Sequence, residues 1–203
     1  MLLKLKSVKI YCDDRENREE RMKIIVTRHG ETNWNVQKRM QGRMDIELND
    51  RGIDQAYETR EKLKGENIDL IICSPLKRAK QTAEIINTNR NVPILYDERI
   101  IEIDYGENEG KLHDEFDYDG FWNIVNTHEY KNAENIQEFI KRIYHFLEEL
   151  KNRKEENILL VTHNGVCRAI HTFFYGIPED KNIIKLGIKN CEVVKYNISD
   201  NRM

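Results

Sequence analysis

The apolar run Ile24-Ile25-Val26 stops abruptly at Arg28-His29-Gly30-Glu31-Thr32, and no other stretch constrains the fold as much. A short β-branched run bounded by polar residues reads as a buried strand, and its C-terminal end delivers a cation and an imidazole into a crevice. The strand is expected over Lys23 to Thr27. The pattern recurs: Asp69-Leu70-Ile71-Ile72-Cys73 is stopped by Ser74-Pro75, and Ile158 to Val161 runs into Thr162-His163-Asn164. Val92 to Tyr96 reads as a further strand, and Glu192 to Ile198 alternates like a final strand at a sheet edge.

Helical patterns separate these strands. Asn49-Asp50 caps an amphipathic stretch carrying Ile53, Ala56, Tyr57 and Leu63 that ends at Gly65, and a second helix is expected from Leu76 to Asn87, with Pro75 suited to its first turn. From Glu134 to Lys151 the residues Ile136, Phe139, Ile140, Ile143, Phe146, Leu147 and Leu150 recur at helical spacing. Gly165 to Phe174 forms the last helix, before Gly176-Ile177-Pro178. Strands alternating with helices predict an α/β fold, a three-layer sandwich whose largely parallel central sheet is covered by helices on both faces.

A chain of 203 residues is most economically one domain with a full sheet core. That domain is expected over 22–203. The dense charge run from Cys12 to Arg21 has no apolar period, so residues 1–21 read as a charged extension, with Met22 as an alternative start. A net charge of −3 gives no overall reason to expect nucleic acid or an anionic membrane as partner, and the apolar runs are too short to span a bilayer. Cys12, Cys73, Cys167 and Cys191 are scattered without metal-ligand spacing, which fits a reducing cytoplasm.

Three strands in this reading end in chemically capable residues: Arg28-His29, Ser74 followed by Arg78, and His163-Asn164. Parallel strands point the same way, so two guanidiniums and two imidazoles converge on one crevice. A tetrahedral phosphoryl group is the natural occupant of such a cluster. Gly30 would let phosphate approach the backbone, and Thr32 would add a hydroxyl donor, with helix capping as the alternative role for Glu31 and Thr32. Taken singly, Arg78 reads as a solvated helix residue, Glu102 as an ordinary surface carboxylate and His163 as a packed strand-end histidine. Their joint placement is what assigns them chemistry. His113, His128, His145 and His171 match no such pattern and read as surface or structural.

The chain resembles the histidine phosphatase superfamily, the group that contains phosphoglycerate mutases and many small phosphomonoesterases. The resemblance rests on Arg28 to Asn35, Gln41-Gly42 with Asp45 and Leu48, Gly52 with Gln55-Ala56, and Ser74-Pro75 through Ala83. It continues with Glu102, Tyr105-Gly106, Glu109-Gly110 and Val161 to Gly165, in the family's order. It implies that His29 attacks phosphorus and becomes a phosphohistidine, while Arg28, Arg78 and His163 hold the equatorial oxygens. Asn35, Gln41, Gly42, Thr32 and Asn164 join the phosphate pocket, though Asn164 stands where many relatives carry glycine. Glu102 protonates the leaving oxygen and then activates water. No metal or cofactor is implied.

The segment 104–120, acidic and glycine-punctuated, reads as a surface excursion. Phosphoglycerate mutases carry a longer, basic insertion there. The chain therefore reads as a phosphatase for a small phosphorylated metabolite whose leaving group is neutral or variable. A mutase and a non-catalytic phospholigand-binding module remain the alternatives. Tyr105, Phe116, Tyr118, Phe121 and Trp122 either line the crevice or pack the core beneath a lid helix.

Overall fold

The structure, a computed structural model, describes residues 21–199. The expected extension lies outside the described residues, except that Arg21 already opens the first strand. Five strands form one sheet: β1 (Arg21–Arg28), β2 (Leu70–Cys73), β3 (Ile94–Tyr96), β4 (Asn157–Thr162) and β5 (Val193–Ser199), in the order β3-β2-β4-β1-β5. Strands β1 to β4 run parallel, and β5 is antiparallel to β1 at the sheet's edge. Register then places the site. Arg28 pairs with Thr162 and Cys73 with Val161, so His29, Ser74 and His163 leave the sheet side by side.

Alternation along the strands sends Ile24, Val26, Leu70, Ile72, Ile158 and Leu160 to one face and Ile25, Ile71, Cys73, Leu159 and Val161 to the other. Helices α5 (Ile136–Leu150) and α6 (Asn164–Tyr175) cover the first face through Phe139, Ile143, Leu147, Val166 and Ile170. The second face takes Ala79, Ala83 and Ile86 of α3 (Lys77–Asn87), together with Leu63 at the end of α2 (Asp50–Lys62). The expected three-layer sandwich is the observed one. Each fully buried Ile or Leu contributes about 1.5–3 kcal/mol, so the two apolar faces hold the layers together.

The differences from expectation have local causes. Helix α3 starts at Lys77, with Leu76 as cap, so Pro75 precedes the cap instead of occupying the first turn. The Asp45 carboxylate accepts from the Lys77 amide at 2.7 Å and supplies the capping acceptor that Leu76 lacks. Strand β3 begins at Ile94 because Pro93 has no N–H for a ladder. Two short helices, α1 (Asn33–Val36) and α4 (Tyr118–Phe121), have no apolar period to announce them. Among the described residues, no helix is long and apolar enough to cross a membrane.

Candidate active site

His29 sits just past β1 and is 3 % exposed. Its Nδ1 lies 2.7 Å from the Gly30 carbonyl, which can only accept, so Nδ1 carries the proton and Nε2 keeps its lone pair in the neutral ring. Burial, reinforced by the charges of Arg78 and Arg28, holds the His29 pKa well below the usual histidine value. The ring of His163, fully buried, lies 5.2 Å from that of His29 at 57°, and its Nε2 is 2.6 Å from Ser74 Oγ. Burial first, and then Arg78, His29 and Arg28, push its pKa well down too. Both rings are neutral at pH 7.

Arg78 is buried, and its Nη1 and Nη2 donate to the carbonyls of Met44 and Gly42, each at 2.7 Å. Burial lowers its pKa to about 10, which leaves it cationic at neutral pH. Arg28 is half-buried and donates to the Ile188 carbonyl at 3.1 Å. These carbonyls aim the guanidiniums without neutralising them. Arg28 Nε, Arg78 Nε, His163 Nδ1 and Gln41 Oε1 are buried polar atoms without a protein partner. Orphans gathered at one place mark a site built for a polar occupant.

Glu102, 7 % exposed, lines the crevice. Its Oε1 accepts from the Ile103 amide at 3.0 Å, and its Oε2 from the Gly165 amide, in the first turn of α6, at 3.1 Å. A Cβ on Gly165 would come within 2.3 Å of Glu102 Oε1, so glycine there is what lets the carboxylate reach the helix end. Gly30 has a different task from the expected one. A Cβ on it would meet the Gly52 carbonyl oxygen at 2.4 Å, so it serves a backbone contact with α2 instead of an approach by phosphate.

The crevice has a volume of about 360 Å³. Its walls include Arg28, His29, Asn35, Gln41, Gly42, Arg78, Glu102 and Asn164, which brings together most of the expected set. His163 lies behind this lining, against His29. Thr32 takes a supporting place: its buried hydroxyl donates to Asn35 Oδ1 and accepts from the Asn35 amide, each at 3.2 Å, as the cap of α1. That bond leaves the Asn35 NH2 as its free donor end. Asn164 Oδ1 accepts from the Ile188 amide at 2.9 Å and so ties down the loop that holds Arg28.

The structure also changes the reading of the cover. Tyr105 and Tyr118 line the crevice, whereas Phe121 and Trp122 are core. His113 lines it as well, stacked on Tyr118 at 4.6 Å, while His128 and His145 are exposed. Part of the acidic front faces elsewhere, while Asp114 and Asp119 line a bowl beside the crevice. Asp104 pairs with Arg43, Glu107 with Lys131, and Asp117 accepts from the Gly120 amide and the Tyr130 hydroxyl. Arg39 and Arg168 add two further cationic side chains to the crevice wall, beside Met40 and Asn190. Sequence reasoning missed Arg39, Arg168 and Asn190. For Arg168 a signal existed, because it stands one turn beyond Asn164 on the same helix. Among the described residues, no three or more His, Cys, Asp or Glu side chains gather as a metal-binding group.

Two imidazoles from strand ends, two guanidiniums and one carboxylate thus gather beside the C-terminal edge of the parallel strands of an α/β sandwich. The chain belongs to the histidine phosphatase superfamily (branch 1), whose family model matches residues 24–203. It is 38 % identical over 183 residues to the uncharacterized phosphatase PhoE of Bacillus subtilis, covering 87 % of this chain and 92 % of that relative. It is 30 % identical to phosphoserine phosphatase 1 of Hydrogenobacter thermophilus over 87 % of this chain and 85 % of that protein. The crystal structure of the alpha-ribazole phosphatase from Shigella flexneri superposes with a TM-score of 0.78 at 27 % identity, covering 88 % of this chain and 92 % of that one. The expected class, an α/β phosphatase of this superfamily, is the observed class.

Proposed function

We propose that this crevice hydrolyses small phosphomonoesters by way of a phosphohistidine on His29. The observation that carries the reading is the hydrogen bond from Nδ1 to the Gly30 carbonyl, which leaves Nε2 as an unprotonated nucleophile beside two guanidiniums. In the first step the Nε2 lone pair bonds to phosphorus, the ester P–O bond breaks, and Glu102 gives its proton to the departing oxygen. In the second, Glu102 takes a proton from water, the water oxygen bonds to phosphorus, and the P–N bond breaks to release phosphate and neutral His29. Arg28, Arg78 and His163 hold the non-bridging oxygens, with Asn35, Gln41, Gly42 and Asn164 around them.

These arginine and histidine side chains, and no metal, carry the phosphoryl charge in this proposal. A reducing cytoplasm suits the buried thiols Cys73, Cys167 and Cys191. The names of the relatives support a phosphorylated metabolite as substrate. The test is a panel of p-nitrophenyl phosphate, sugar phosphates, nucleotides, phosphoglycerates, phosphoserine and α-ribazole phosphate, run on the wild type and His29→Ala. Phosphate release by the wild type alone supports the proposal. Isomerisation of phosphoglycerate without net release would turn it toward a mutase, and binding without turnover toward a phospholigand-binding module.

A further inference from the structure

Ser74 is fully buried just past β2, and the two phosphoryl-transfer steps above give its hydroxyl no task. The sheet sets it beside His163: Cys73 pairs with Val161, and the Ser74 amide donates to the Val161 carbonyl at 3.0 Å. Its Oγ then lies 2.6 Å from His163 Nε2, a bond between two side chains that solvent does not reach. The direction of that bond decides what His163 can do. A neutral imidazole carries one proton, so a hydroxyl that donates to Nε2 leaves an N–H at Nδ1, whereas a hydroxyl that accepts from Nε2 leaves a lone pair there.

The surroundings favour donation by the hydroxyl. Ser74 Oγ also accepts from the Leu76 amide at 3.5 Å, and among the described residues Nε2 is the only acceptor within hydrogen-bond distance of the hydroxyl. Turned any other way, its proton would be buried unpaired. Nδ1, in turn, is buried without a protein partner. His163 is the cap residue of α6, yet its ring takes no amide of that helix. The charges that act on the ring include Arg78 and Arg28, whose guanidiniums can only donate. An unpaired N–H in that company suits an anionic oxygen, and a lone pair would repel one.

We propose that Ser74 is a positioning residue: its hydroxyl donates to His163 Nε2, fixes the proton on Nδ1, and so makes a neutral His163 a donor to a non-bridging phosphoryl oxygen. The two histidines then hold the same tautomer for opposite duties. The Gly30 carbonyl engages the His29 proton and exposes a lone pair, while Ser74 engages the His163 lone pair and exposes a proton. The proposal rests on the reading of the crevice as a phosphoryl site.

Histidine ¹⁵N NMR of the full chain at pH 7, with the His163 signals assigned by their loss in His163→Ala, reads the tautomer without turnover. The wild-type ring should carry its proton on Nδ1. In Ser74→Ala, which removes a single oxygen, the proton should spread over both nitrogens and inorganic phosphate should bind more weakly by calorimetry. The kcat for p-nitrophenyl phosphate should fall about ten- to a hundredfold, the worth of a hydrogen bond to a charged group. In a His163→Ala background the same substitution should cost little more, because no ring is left for it to act through. A wild-type ring protonated on Nε2, a tautomer or a kcat unmoved in Ser74→Ala, or losses that simply add in the double variant would overturn the proposal. If no phosphomonoester is hydrolysed while the Nδ1 proton and the weaker phosphate binding of Ser74→Ala stand, the phosphatase reading fails and the role of Ser74 survives.

Discussion

The half of the crevice built on strand ends and the half built from the 104–135 cover are made by different means. On the strand side, the ladder sets His29, Ser74 and His163 in register, and backbone fits backbone at Gly30 and Gly52. Thr82 accepts from the Gly30 amide at 3.0 Å and donates to the Arg78 carbonyl at 2.7 Å, so one hydroxyl ties the nucleophile's loop to the phosphate-binding arginine. The cover has short turns and a nest of rings: Tyr105, Phe116, Phe121 and Tyr130 touch at centroid distances of 5.0 to 6.1 Å. Its ties to the rest of the sheet domain include the isolated bridges Arg39 with Leu112 and Asn123 with Asn182. The lesson is a division of labour. Groups that must be placed to a fraction of an ångström stand on hydrogen-bonded lattice, while groups that choose the leaving group stand on side-chain packing that tolerates change.

Substitutions on the two sides should separate accordingly. Gly165→Ala has the largest expected effect: the new Cβ displaces Glu102 and presses on Trp122, so kcat should fall about 10²- to 10⁴-fold, the usual worth of a general acid. Stopped assays against p-nitrophenyl phosphate check it, and near-wild-type kcat would show that Glu102 need not touch the helix end. Gly30→Ala should cost about 1–3 kcal/mol of stability or more through overpacking against Gly52, read from denaturant midpoints. Because the folded-state pKa values of His29 and His163 lie below the unfolded value of about 6.5, the unfolded chain binds more protons in acid. Stability is therefore full above pH 6.5 and lost as pH falls, by up to about 1.4 kcal/mol per pH unit for each ring. Urea unfolding at pH 7 and pH 5 tests that slope, and His163→Asn should flatten it. On the cover, Phe116→Ala should shift KM and substrate ranking by a few-fold and leave the kcat for p-nitrophenyl phosphate much closer to wild type than Gly165→Ala does.

The same division decides what could be read from the sequence. Strands announce themselves because period-two burial forces Ile24-Ile25-Val26 and Ile158 to Val161 to be apolar on both faces. Their parallel order then brings Arg28-His29, Ser74 and His163 together. Asn35, Gln41, Gly42 and Glu102 were legible as members of an ordered motif. Thr32 reads from the sequence either as a helix cap or as a phosphate donor, because one hydroxyl serves equally as both, and the coordinates show its hydroxyl bonded to Asn35. The acidic composition of 104–120 fits a surface excursion but does not give the sign of the crevice wall. Charge counts say nothing of direction: Asp104, Glu107 and Asp117 turn toward Arg43, Lys131 and a backbone amide, Asp114 and Asp119 line the neighbouring bowl, and Arg168, from a distant helix, adds a positive charge to the crevice wall. Specificity assembled by packing across remote segments leaves little periodic trace.

The central claim is that His29 becomes covalently phosphorylated. Rapid mixing with a ³²P-labelled phosphomonoester, followed by alkaline quench and peptide mapping, measures this directly. The account predicts label on His29 that is stable in base and lost in acid, a higher steady-state level in Glu102→Gln, and none in His29→Ala. Turnover at the wild-type rate in His29→Ala, or phosphate release with no labelled protein at any time point, would contradict it.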